Sequence, residues 1–400
     1  MGRSIELVFL VLLLFSLPTL EAPKNVFCLL YFLAWTINRA RTADWGGPFD
    51  GWDAVIWYWI SSGFVAGLFS DIPRIGWTSG IDPLRYGLLL WSLKRSGYSF
   101  EVQVRLLVVA VISSLLSLAI GLWQLFVSHN ASLLILNSVG HVNHGAIYLS
   151  ISLTIAVALT FSFWREWRAV VCGLAGIAAL ILFSGVLLTS SRGAIAASVF
   201  AILVMALAFV QKFPRFRVSV LVACLALVAI GVVRNDAVVR KHQELAQTQN
   251  AMSFRPQIWN VALEAWREYP LTGVGMDNFS QITPDRLRTW RANATMPIDE
   301  SRYFFTSHAH SLFFNTLAER GLYGFSALAL LLFAWVFSLI RKRPTAKSSN
   351  SVWAVWGASA GTFLVDVVAG SFNTTLHHEH AILSALCLGC WLSQSQGKNE

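Results

Sequence analysis

The stretch HAHSLFFNTLAERGLYGFSALALLLFAWVFSLI, residues 308–340, decides the fold. It leaves a polar segment at His310-Ser311, passes nine residues, reaches Gly321-Leu322-Tyr323-Gly324 and then carries no charge until Arg341. A run of roughly 20 apolar residues crosses a bilayer, so a titratable imidazole stands beside a membrane surface. The rest of the chain is of the same kind, with 56% hydrophobic and 13% charged residues among 400. Scanning for apolar runs gives about twelve candidate spans. They fall at 5–20, 26–38, 53–69, 83–92, 102–127 and 145–163, then at 169–188, 194–210, 218–233, 312–340, 352–369 and 381–392. The expected fold is an all-α polytopic membrane protein with one large helical loop between the ninth and tenth spans. Residues 1–233 and 307–400 form the membrane domain, and 234–306 form the loop domain. The first span follows Arg3 but lacks a small-x-small cleavage site around Ser16 to Glu21, so it reads as a retained anchor.

Cytoplasmic loops carry the excess of Lys and Arg. Threading about twelve helices places Arg3, Arg39, Arg41, Lys94, Arg95, Arg165, Arg168, Lys212, Arg215, Arg217, Arg341, Lys342, Arg343, Lys347 and Lys398 on one side. Both termini are then cytoplasmic, and the segments 129–144 and 371–380, without Lys or Arg, face outward. The net charge of +9 is thereby topological, and no nucleic-acid partner is expected. All five cysteines, Cys28, Cys172, Cys224, Cys387 and Cys390, lie within expected spans, where a free thiol packs as a small apolar group.

Histidines occupy only outward segments: His129, His141, His144, His242, His308, His310, His377, His378 and His380. His377-His378-Glu379-His380 and His308-x-His310 contain residue types that suit zinc. Neither HExxH nor a helical i, i+4 His pair is present, so the expected site has no metal and no cofactor. The large loop carries Arg234, Arg240, Arg255, Arg267, Arg286, Arg288, Arg291 and Arg302 against one lysine, Lys241. Guanidinium pairs bidentately with phosphate oxygens and keeps its charge, which suits a pyrophosphate. Eight acids temper that charge, among them Glu264, Asp285 and Glu300. Arg255 ranks first, since it opens an amphipathic helix with Ser253 as cap and Ile258, Trp259, Ala262, Leu263 and Trp266 on one face. Arg288 and Arg291 rank second. Gly273-Val274-Gly275 closes that helix in a tight turn and is a weak phosphate-binding signal. Arg192 follows Ser190-Ser191 between two apolar runs; an arginine at mid-membrane costs about 2.5–3.5 kcal/mol and usually serves function. Asp366, toward the outer end of the eleventh span, is placed to pair with an arginine or to orient His310.

With these residues quoted, the chain resembles the O-antigen ligase family, membrane glycosyltransferases related to O-antigen polymerases and bacterial O-oligosaccharyltransferases. The family pattern of His, then Asn, Ser or Gln, nine residues and Gly-x-x-Gly is met by His310-Ser311 with Gly321 and Gly324. Ser191-Arg192-Gly193, Arg255 with Trp259, and 270–275 also look like the family, whereas the first half resembles it only in hydropathy and at Asn143-His144. The resemblance implies a GT-C-like membrane fold with its site on the periplasmic face of the bacterial inner membrane. It further implies transfer of a polysaccharide from undecaprenyl pyrophosphate to a lipid A-core sugar hydroxyl. His310 would be general base, with an imidazole pKa near 6.5. Arg192 and Arg255 would neutralise the pyrophosphate, Arg288 and Arg291 would assist, and His308, His144, Asp366, Gly321 and Gly324 would support. Direct attack would invert the anomeric carbon. Polymerases of the group have two sizeable outer loops and oligosaccharyltransferases are longer, so both fit less well. A transporter of lipid-linked glycans, or a metal-dependent hydrolase using the histidine clusters, are the other readings; no internal repeat of the transporter kind is visible.

Overall fold

The computed structural model describes residues 2–70, 73–130, 133–164, 169–210 and 254–393. Among these, every regular element is a helix. In chain order they are α1 (Gly2–Ser16), α2 (Glu21–Thr42), α3 (Gly51–Leu68), α4 (Pro73–Arg95), α5 (Phe100–Phe126), α6 (Val142–Phe163), α7 (Ala169–Leu188) and α8 (Arg192–Phe209). The shorter helices α9 (Arg255–Glu268) and α10 (Pro284–Asn293) follow, then α11 (Leu312–Arg341), α12 (Asn350–Gly370) and α13 (His378–Ser393). Six of these, α5, α6, α7, α8, α11 and α12, are long and apolar enough to cross a membrane by themselves. The other expected spans appear as the helices α1–α4 and α13. The ninth expected span at 218–233, and with it Cys224, Arg234, Arg240, Lys241 and His242, lies outside the described residues.

Apolar side chains surround α6 on all sides, and it is buried along almost its whole length. It packs against α5, α7, α8, α12 and α13, which makes it the axis of the bundle. Charge at one end of the α3–α4 hairpin is paired. Asp50 and Asp53 close a capping box at the start of α3, and the end of α4 returns Lys94 (2.9 Å) and Arg95 (2.6 Å) to the Asp53 carboxylate. This ties the α3–α4 hairpin at one end. At the other end Gly67 of α3 lies against Gly76 of α4, so close that a Cβ on either would stand 2.9 or 2.8 Å from the partner backbone. Small residues four apart, Gly63 with Gly67 and Gly76 with Gly80, let the two backbones meet as GxxxG stripes do in membranes.

One sequence expectation needs correction here. The span expected at 83–92 is in fact the C-terminal part of α4, which runs from Pro73 straight through Pro83. Asp82 and Arg85 lower the local hydropathy, which hid the first half of the helix from a search for apolar runs.

The extramembrane segment has its own small core, in which Ile258, Val261, Ala262 and Ala265 of α9 meet Val274, Phe279, Leu287 and Ala318. The buried stripe of α9 is thus 258, 261, 262 and 265, with Leu263 and Trp266 half-buried beside it. Trp259 stacks on Phe314 of α11 at 4.9 Å. The cap of α9 is Phe254, while Ser253 lies outside the described residues.

Candidate active site

The helix α11 is broken at Gly321, whose φ of +58° and ψ of −158° no L side chain adopts readily. A break inside a membrane leaves backbone groups that must find partners. The turn at 270–275 supplies them: Val274 N–H donates to the Ala318 carbonyl (2.9 Å) and Gly275 N–H to Glu319 (2.9 Å). In return Leu322 N–H donates to Pro270 (2.8 Å) and Tyr323 N–H to Leu271 (3.0 Å). A Cβ on Gly321 would run into the Leu271 carbonyl, and one on Gly273 into the Glu319–Arg320 peptide. Gly273 is therefore a docking position for α11, where the sequence had suggested a phosphate contact. Gly324 has no special φ; it makes room for the Arg320 side chain.

This joint fixes the segment that carries His310. Glu319 accepts from Asn315 Nδ2 (2.9 Å) and from Phe279 N–H (3.4 Å), and Asn315 Oδ1 accepts from Ala309 N–H (3.0 Å). Leu312 N–H donates to the Asn373 carbonyl (3.0 Å), and the Ser311 hydroxyl caps the helix at Phe314 N–H (3.5 Å). Held from both sides, His310 takes the left-handed region at φ +48°, an uncommon state for a non-glycine residue that concentrates at functional sites. Burial, then the neighbouring His308, Arg255 and His141, lower its pKa to about 4. The ring is consequently neutral at pH 7, with a lone pair available, and it is a weaker base than the expected value near 6.5 implies.

Arg255 arrives beside it, and Arg192 lies near Arg255, from separate elements. Arg192 begins α8 with Ser191 as its N-cap, just after Ser190, which also has a left-handed φ of +54°. Arg255 begins α9, donates from a guanidinium nitrogen to the Phe372 carbonyl (2.8 Å) and lies 5.6 Å from the Phe372 ring centroid. The Arg255 pKa is lowered by burial and by the charge of Arg192, and Arg255 in turn acts on His310. Among the described residues neither arginine has an acidic partner within ion-pair distance. Arg288 and Arg291 differ. Arg288 bonds Glu300 (2.6 Å) and Asp285 (2.6 Å), and Arg291 bonds Glu264 (3.1 Å) and the Pro297 carbonyl (2.6 Å). The structure joins neither of them to His310.

Histidines from three segments converge around this point. The rings of His308 and His310 are 4.2 Å apart, and His144 lies 4.9 Å from His378 and 5.7 Å from His141. His144 Nδ1 and His380 Nε2 share a hydrogen bond of 3.0 Å. His144 and His380 belong to the first turns of α6 and α13, where the sequence had placed them in loops. Among the described residues, no group of three His, Cys, Asp or Glu side chains is arranged to hold a metal ion. Lys24 was not singled out in the sequence, yet it is buried and bonds Glu379, Glu21 (2.6 Å) and Ser138 (3.0 Å). It anchors the start of α13 between two of the histidines, a pairing that a lysine near the end of an apolar run hints at but does not locate. Asp366 is fully buried in α12, and among the described residues no arginine or histidine bonds its carboxyl.

An all-helical polytopic membrane protein with a cationic, imidazole-bearing site, formed where the turn at 270–275 docks on a broken helix, is the class these features define. Residues 177–329 match the family model described as O-Antigen ligase, which supports the O-antigen ligase family for this chain. The matched region contains Arg192, Arg255, His310, Gly321 and Gly324. No curated protein matches the chain.

Proposed function

We propose that the protein transfers a polysaccharide from undecaprenyl pyrophosphate to a hydroxyl of a lipid A-core sugar at the outer face of the inner membrane. The observation that carries this reading is the pair of arginines without acidic partners beside a neutral, strained imidazole. A lipid pyrophosphate leaves only if its developing charge is neutralised, and preformed cationic donors do this without reorganising. Arg192 and Arg255 fill that role, Arg255 already turned toward the site by the Phe372 carbonyl. His310 takes the proton of the acceptor hydroxyl as the oxygen attacks the anomeric carbon, with inversion of its configuration. The proton passes to the imidazole, and the electron pair of the broken bond leaves on the pyrophosphate. Burial, with His308, Arg255 and His141 around the ring, keeps His310 neutral before reaction.

The orientation that supports this reading comes from the Lys and Arg distribution, which puts the ends of α6, α8, α11, α12 and α13 that surround His310 on the outer side. The test is attachment of glycan by purified protein, using undecaprenyl-pyrophosphate-linked glycan and truncated lipopolysaccharide with excess EDTA and no nucleotide. Transfer by the wild type and none by a folded His310→Ala protein supports the reading. Donor consumption only on adding metal would replace it with a hydrolase, and an untouched donor would favour transport.

A further inference from the structure

Two residues of α11 join the turn that follows α9 to the segment that carries His310. Asn315 and Glu319 lie one turn apart on the helix, ahead of its break at Gly321. Glu319 is 4% exposed and is gripped by the 270–279 turn. Gly275 N–H donates to its carbonyl (2.9 Å), Phe279 N–H donates to its carboxyl (3.4 Å), and Gly273 lies against the peptide that follows it. The same turn belongs to the small core of α9, in which Val274 and Phe279 pack with Ile258, Val261 and Ala309.

The amide of Asn315 has one accepting end and one donating end, and the structure uses both. Ala309 is fully buried, and its N–H is a fixed donor, so Asn315 Oδ1 must face it (3.0 Å). Asn315 Nδ2 then needs an acceptor, which Glu319 Oε2 supplies (2.9 Å). A carboxyl group offers an accepting oxygen whether or not it carries a proton. Glu319 thereby holds the amide, and the amide holds the peptide that precedes His310. The left-handed φ of +48° at His310 persists only where its surroundings over-determine it. A buried N–H left without its acceptor would be free to turn toward another partner, and His310 would turn with it.

We propose that Asn315 and Glu319 are positioning residues for the base: they carry the seating of the 270–279 turn through Ala309 to His310. The part of the chain that brings Arg255 to the site then also sets the imidazole that works beside it. The proposal rests on the reading of His310 as the base, whereas the setting of its ring is open to measurement without any transfer.

The experiment has two arms on the same proteins, wild type, Asn315→Leu, Glu319→Leu and Glu319→Gln, each reconstituted in lipid nanodiscs and checked by thermal melting. In the first arm, diethyl pyrocarbonate, which reacts with neutral imidazole, is applied as pH is varied, and modification of His310 is read by peptide mass spectrometry. Burial and the groups that face the ring, His308 from its own segment, Arg255 from α9 and His141 from ahead of α6, hold its pKa at about 4. Modification of the wild type is expected to be slow and to titrate near that value. In the two leucine variants it is expected to be faster and to titrate nearer the ordinary value of about 6.5, because the ring leaves those neighbours. Equal rates and midpoints in the wild type and both leucine variants overturn the proposal, whatever the activity of the protein. In the second arm, glycan transfer by the leucine variants is expected to lose roughly 10-fold to 100-fold in kcat, the scale of a misplacement of about 1 Å, with donor KM moving less. Glu319→Gln keeps an oxygen for Asn315 Nδ2 and is expected to recover most of that loss. A loss confined to KM, or Glu319→Gln as slow as Glu319→Leu, also overturns the proposal. Altered His310 modification with no transfer by any of the proteins, wild type included, would leave the positioning intact and refute the ligase reading alone.

Discussion

Two groups of arginines lie in and around the same extramembrane segment, and they have opposite surroundings. Arg288 and Arg291 on α10 are matched to Asp285, Glu300 and Glu264; Arg255, at the first turn of α9, acts on His310 and is acted on by Arg192 at the first turn of α8, and among the described residues neither has a carboxylate within ion-pair distance. A guanidinium whose counter-ion comes from its own chain is part of the scaffold. Two that repel each other, half-buried, are tolerated only where an external anion completes them. The difference separates the loop's structural charge from its chemical charge, which the count of arginines cannot do.

The sharpest way to break the comparison is to remove the base that the free pair serves. His310→Ala is expected to lower transfer by about 10² to 10⁴-fold, or roughly 3–5 kcal/mol of barrier, with melting temperature retained; transfer near the normal rate would disconnect the arginines from the chemistry. Next, Arg255→Ala is expected to lower kcat by about 10² to 10³-fold, the usual loss for one donor at a developing charge, and Arg255→Lys is expected to recover only part of it, because the fork to Phe372 is lost. A titration sharpens the same contrast. Because His310 has its pKa lowered to about 4, its base form is full at neutral pH and is lost only as pH falls through about 4. The acidic limb of kcat/KM should therefore lie well below 6.5; a limb at 6.5 would mean that the ring is not held among His308, Arg255 and His141. Smaller still is Arg291→Ala, which takes one of three partners from the buried Glu264 carboxylate and leaves it Arg267 and Tyr303; it is expected to lower stability by about 1 kcal/mol while transfer stays within threefold. The smallest effect is expected for exposed Arg288→Ala, with transfer within twofold of wild type in the same assay.

How far the sequence foretold this depends on how local each feature is. The helix after His310-Ser311 was legible from one continuous stretch, but its break at Gly321 was not, because the expected span ran unbroken from 312 to 340 and the break is held by the distant turn at 270–275. Arg192 and Arg255 were legible as candidates from their neighbours, Ser190-Ser191 and the amphipathic run after Pro256. Whether they were paired was not, since Arg288 finds Glu300 and Arg291 finds Glu264 only through the folded loop. The same holds for Asn315, which looked like an ordinary helical residue until its link between Glu319 and Ala309 was seen. Length and hydropathy misplaced the start of α4 because Asp82 and Arg85, paired with each other, lower the local hydropathy. The imidazole's pKa was the least readable quantity of all, being set by burial and by three cationic or titratable neighbours from different parts of the chain.

The most direct measurement is single-turnover glycan transfer from undecaprenyl-pyrophosphate-linked donor to truncated lipopolysaccharide, in excess EDTA, by Arg255→Ala beside Arg288→Ala. A loss of at least about 100-fold for the first and of no more than twofold for the second is the predicted result. Equal losses, or a larger loss for Arg288→Ala, would contradict the claim that the arginines without acidic partners are the ones that hold the leaving pyrophosphate.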